Sequence, residues 1–119
     1  MIFLIDSTDS IVLNITSGGL IECHIQLNFV DLDNITKSQS PGRKNQIITS
    51  SGDTIINDLS DSNTDISRSI KSLSIYNASD ITCDIEIKRI SDGITSILFS
   101  KNLITKSSVH YTSDGFITI

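Results

Sequence analysis

Strict apolar/polar alternation in the last fifty residues constrains this chain more than any other feature. Ile81, Cys83, Ile85 and Ile87 alternate with Thr82, Asp84, Glu86 and Lys88. Side chains on a strand point to opposite faces with a period of two, so this segment carries one apolar and one polar face. Ser91-Asp92-Gly93 supplies a tight reversal, because glycine reaches positive φ without a Cβ clash. Residues 94–99 form the return arm, and Phe116-Ile117-Thr118-Ile119 follows a second Asp114-Gly115 turn. The pattern predicts an antiparallel C-terminal meander.

The same period recurs upstream. Ile11, Leu13 and Ile15 precede a Gly18-Gly19 turn, and Leu73 and Ile75 mark a strand over residues 69–77. Residues 20–30 are the longest candidate, with Ile21, Cys23, Ile25, Leu27 and Phe29 on one face and Glu22, His24, Gln26 and Asn28 on the other. Ile47-Ile48 and Thr54-Ile55-Ile56 flank Ser51-Gly52-Asp53 as short strands. Residues 31–46 lose all periodicity and hold the only proline, so they read as a long loop or exposed arm. Residues 1–10 read as an arm or an added strand. Nowhere does a sustained helical stripe appear. Over 119 residues this describes one domain, all-β, a small antiparallel β-sandwich or open barrel. Its expected core includes Ile25, Leu27, Leu73, Ile75, Ile85, Ile87 and Phe116.

Composition removes several function classes. A net charge of −5 and a pI near 4.7 argue against nucleic acid, which needs clustered cations. The apolar start at residues 1–5 has no basic region before it and stops at Asp6, so it is not expected to act as a signal peptide, and no segment approaches a membrane span. Cys23 and Cys83 lie on the apolar phase of their strands and read as small buried hydrophobes. Asp61, Asn63 and Asp65 have the spacing that begins a calcium loop, but Ile66 and Ser72 stand where glycine and glutamate are required. Of the two histidines, His24 and His110, the first neighbours Cys23 and faces the opposite way, which excludes joint metal binding from one strand. A Cys–His nucleophile pair across strands has nothing to orient it. The reading is a non-enzyme with no catalytic, metal or cofactor site and no cofactor. One segment stands apart: Lys37, Pro41, Gly42, Arg43 and Lys44 concentrate charge and a stiff turn within residues 31–46. They form the candidate partner-contact element, in which Arg43 can grip a carboxylate through two parallel hydrogen bonds.

The order of these segments resembles a family of short structural proteins of tailed bacteriophages. The resemblance runs over residues 17–119 and is carried by Ser17-Gly18-Gly19, Pro41-Gly42-Arg43, Ser74-Ile75-Tyr76-Asn77, the Asp92-Gly93 hairpin and Tyr111-Thr112-Ser113-Asp114-Gly115-Phe116. Residues 1–10 are longer here than in similar chains. The resemblance implies a non-enzymatic virion component of the head, neck or tail, made in the host bacterial cytoplasm. Its partners would be other virion proteins and further copies of itself, with no nucleic acid or membrane. The alternative is a glycan-binding or adhesin-type module, for which the lack of Trp and an aromatic content of 5% leave few stacking platforms.

Overall fold

Period-two patterning in a chain rich in isoleucine can hide its apolar faces only by laying sheet on sheet. The computed structural model describes residues 2–5, 8–59, 65–112 and 114–118, and it has that architecture. Among the described residues there is no helix. The strands are β1 (Ile2–Leu4), β2 (Ser10–Thr16), β3 (Cys23–Asp33), β4 (Gln39–Ile48) and β5 (Gly52–Asp58). Then come β6 (Ile66–Asn77), β7 (Cys83–Ser91), β8 (Ile94–Leu103), β9 (Ser108–Thr112) and β10 (Gly115–Thr118). One sheet runs β10-β9-β6-β3-β4, with β1 also on β6; the other runs β5-β2-β7-β8. Every pairing is antiparallel. The sheets do not close into a barrel, and the fold is that of a small β-sandwich.

The inward faces follow the sequence alternation. Ile25, Leu27, Leu73, Ile75, Ile85 and Ile87 are buried, and Phe116 is half-buried against the same cluster. At one end of the sandwich the Phe116 ring stacks on Phe99 of the opposite sheet at 4.5 Å between centroids, with Tyr111 5.0 Å away. At the other end Arg68 ties the sheets together. Its guanidinium donates to both carboxylate oxygens of Asp31 at 2.7 and 3.0 Å, and to Asn57 Oδ1 at 2.8 Å. Asp31 lies on β3 and Asn57 on β5, so one side chain clips the two layers.

Three expectations change. Residues 31–46 are not a long loop: β3 continues to Asp33, β4 begins at Gln39, and only a short turn separates them. The two strands pair from Cys23↔Ile48 to Leu32↔Gln39. β4 is an edge strand and mostly exposed, so it needs no apolar alternation, which is why its sequence reads as irregular. The C-terminal stretch is not one meander. β7–β8 and β9–β10 are hairpins in opposite sheets, and the chain crosses between layers after Leu103. Ile81 falls in the turn before β7 rather than in the strand. Residues 1–10 do hold an added strand: β1 pairs with β6 through Ile2↔Ile70 and Leu4↔Arg68, burying Ile2 and Leu4. Asp61 and Asn63 of the calcium-like spacing lie outside the described residues.

Candidate assembly surface

A sandwich that stays open leaves edge strands, each with one row of backbone N–H and C=O groups unpaired. Here the edges are β4, β10 and the short β1 in one sheet and β5 and β8 in the other. Their sequences differ in how they treat that exposure.

β4 carries four of the five residues singled out above. Pro41, Arg43 and Lys44 are exposed on it, while Lys37 sits in the preceding turn with φ 64°. That turn is built by Asp33, whose Oδ1 accepts hydrogen bonds from the backbone N–H of Ile35 at 2.9 Å and Thr36 at 3.1 Å. The Thr36 and Ile35 amides hold the Asp33 carboxyl below the usual carboxylate range. The structure therefore brings Pro41, Gly42, Arg43 and Lys44 together on a strand rather than on a reaching arm.

Gly42 has a structural task there. It pairs with Phe29, and a Cβ at Gly42 would lie 2.3 Å from Phe29 Cζ. The Phe29 ring occupies the space above the glycine, and the Arg68 guanidinium lies 3.8 Å from the ring centroid. Gly42, Phe29, Arg68 and Asp31 thus form one packed column. The sequence marks neither Phe29 nor Arg68 as a candidate site residue. Phe29 stood on the apolar phase, but nothing local indicates which residue faces it across β4.

β8 is the opposite case. It spans ten residues with one charge, Lys101, and no proline. It pairs only with β7, and it exposes Ile94 at 70% and Ile97 at 61% of their surfaces. A bulge at the Ile87/Lys88 step leaves Leu98 without a partner on β7. β5 is shorter, carries Asp53 and Asp58, and has a bulge against β2. β10 has four residues.

The outer face of the β10-β9-β6-β3-β4 sheet is largely polar, with Ile47 beside His24 and Ile117 beside His110 as exposed apolar side chains. His24, Gln26, Asn45, Ser74 and Tyr76 border a shallow depression of about 430 Å³, and Asn28, Ser72, His110 and Thr112 continue the lining toward β9. The His24 ring meets Tyr76 edge-on at 6.1 Å and contacts Glu22 at 2.9 Å. His24 and His110 point outward, whereas Cys23 and Cys83 are fully buried. No Cys–His pair is formed. Among the described residues no group of three or more His, Cys, Asp or Glu side chains gathers in a way that could hold a metal ion. Compared with protein-family models, curated protein sequences and solved structures, the chain matches none.

Proposed function

We propose that this chain is a non-enzymatic structural component of a tailed-phage virion, working through contacts with copies of itself and with other virion proteins. The virion context comes from the sequence resemblance. The observation that carries the contact mode is the contrast between β8 and β4. Proline and clustered cations blunt an edge, because proline offers no N–H and like charges repel an incoming strand. β4 has Pro41, Arg43 and Lys44, so it resists strand addition and its cations are suited to setting register by charge. β8 has a single lysine and two exposed isoleucines, so it can accept a strand and bury apolar surface at the same time. In a two-fold arrangement β8 would pair antiparallel with β8 of a second copy, a self-complementary contact without a like-charge clash.

Sedimentation equilibrium of the purified chain tests this reading, together with detection of the chain in purified phage particles. Self-association that Ile97→Lys abolishes without altering the far-UV spectrum is the expected result. A wild-type chain that stays monomeric at all concentrations and is absent from particles refutes it.

A second reading, a glycan-binding module, draws on the uncharged amide and hydroxyl side chains along the polar outer face. Tyr76 is its one aromatic platform. Saturation-transfer NMR with neutral oligosaccharides distinguishes it, since strand addition at β8 leaves Tyr76 unperturbed.

A further inference from the structure

We propose that Cys23 and Cys83 are a disulfide site that staples the two sheets when the chain folds or opens in the presence of a disulfide oxidant. Cys23 begins β3 in one sheet and Cys83 begins β7 in the other, and neither has any solvent exposure. Two sets of hydrogen bonds hold the layers together beside them. Cys23 pairs with Asn77, and Cys83 pairs with Leu103. The Asn77 side-chain amide crosses the gap and donates to Leu103 O at 3.0 Å and to Ile81 O at 2.9 Å. The residue before Cys23 is tied to the turn that leads to Cys83. Ala78 N–H donates to Glu22 O at 2.9 Å, and Glu22 N–H donates to Ser79 Oγ at 2.7 Å.

The two thiols are close enough to influence one another. Burial pushes the Cys23 thiol up to about 12, and the neighbouring Cys83 adds to the rise. The thiolate is the reactive form, so Cys23 is nearly inert in the closed fold, and burial keeps both sulfurs from an oxidant. Reaction therefore takes place while the chain folds or transiently opens. One cysteine thiolate attacks a sulfur of oxidised glutathione, forming a mixed disulfide and releasing one glutathione. The second thiolate displaces the other glutathione and closes the protein disulfide. Two electrons pass from the cysteine pair to glutathione, and the two thiol protons end on the released glutathione thiolates. Once formed, the bond is sealed from solvent and resists reduction until the sandwich opens.

Such a bond closes a loop of about 60 residues, which restricts the unfolded chain and raises the melting temperature by on the order of 10 °C. The experiment is to refold the whole chain from denaturant in a mixture of oxidised and reduced glutathione. Free thiols are then titrated in denaturant, the linked peptide is mapped, and melting is compared with and without reductant. The expected result is a monomer lighter by two hydrogens, with a Cys23–Cys83 peptide and a melting point that falls on reduction. Folded chain given the same oxidant without denaturant reacts far more slowly. Two free thiols after oxidative refolding overturn the proposal. So does an oxidised chain that melts at or below the reduced one, because the thiols would then be packing groups only. Neither readout requires a cysteine variant to fold.

Discussion

Replacing Gly42 with Ala separates two descriptions of residues 31–46 by the sign of the effect. Gly42 does not lie in the left-handed region, so in a solvated loop an alanine would fit the backbone. It would then stabilise the fold by about 0.4–1 kcal/mol through the unfolded state. In the β3–β4 pair the new methyl would lie 2.3 Å from Cζ and 2.4 Å from Cε2 of Phe29, against roughly 3.5–4.0 Å for an ordinary carbon contact. The ring cannot swing away freely, because Arg68 lies over it and is held by Asp31 and Asn57. Overpacking of this kind costs about 1–3 kcal/mol. With a urea dependence of about 2 kcal/mol per molar, the unfolding midpoint should fall by about 0.5–1.5 M. The same substitution in a Phe29→Leu background should be neutral or stabilising, since the ring is gone. Urea titration of the four chains gives the coupling directly. A midpoint that rises with Gly42→Ala, or a loss unchanged by Phe29→Leu, refutes the packed column.

Other perturbations test the remaining parts of the structure. Ile85→Ala should cost about 2–5 kcal/mol, whereas Glu86→Ala on the opposite face should cost about 0.5 kcal/mol or less; equal effects in urea would mean a wrong register. Arg68→Ala should cost about 2–4 kcal/mol, between the exposed and the buried limits for an ion pair, and amide exchange should quicken in both β3 and β5. Asp33 has a folded pKa lowered by the Thr36 and Ile35 amides, and Asp53 one lowered by Asn14 and Lys88. Their contributions are present above the unfolded value of about 3.9 and are lost as pH falls through the lower folded values. Stability measured from pH 6 to pH 2 should therefore decline less steeply at the acid end in Asp33→Ala than in the wild-type chain.

The faces of β2, β3, β6 and β7 are legible in the sequence because one side of each meets the core and the other meets water. Burial then writes itself as alternation, as in Ile11, Leu13 and Ile15. β4 is not legible for the same physical reason in reverse. Its outer edge and most of its side chains are solvated, so Pro41, Gly42, Arg43 and Lys44 carry no period. The hairpins were visible as turns: Asp92 and Gly93 both take positive φ, at 51° and 77°, as a two-residue reversal demands. Their sheet membership was not visible. Nothing local to residues 104–107 states that the chain leaves one layer for the other. That assignment is made by long-range partners, the Phe99–Phe116 stack and the Asn77 amide among them.

The cations of residues 37–44 gain a different meaning once they sit on a strand. A flexible arm could carry Arg43 to a distant carboxylate, whereas a paired strand holds it opposite Asn28 at a fixed height on the sheet. The entropy of ordering the backbone has then been spent in folding, so a contact made by Arg43 and Lys44 loses only side-chain freedom. Exposed ion pairs contribute about 0–1 kcal/mol each, too little to hold an assembly together. In the proposed assembly the apolar surface of Ile94 and Ile97 on β8 would be the stronger source of affinity, and a strand docked there would also satisfy backbone groups. The two edges belong to different sheets. A chain that binds through β8 thus keeps β4 free to meet a second neighbour, and substitutions on the two edges should be additive in their effects on assembly. Coupled losses, with a β4 substitution harmless once β8 is disabled, would mean that both strands serve a single contact.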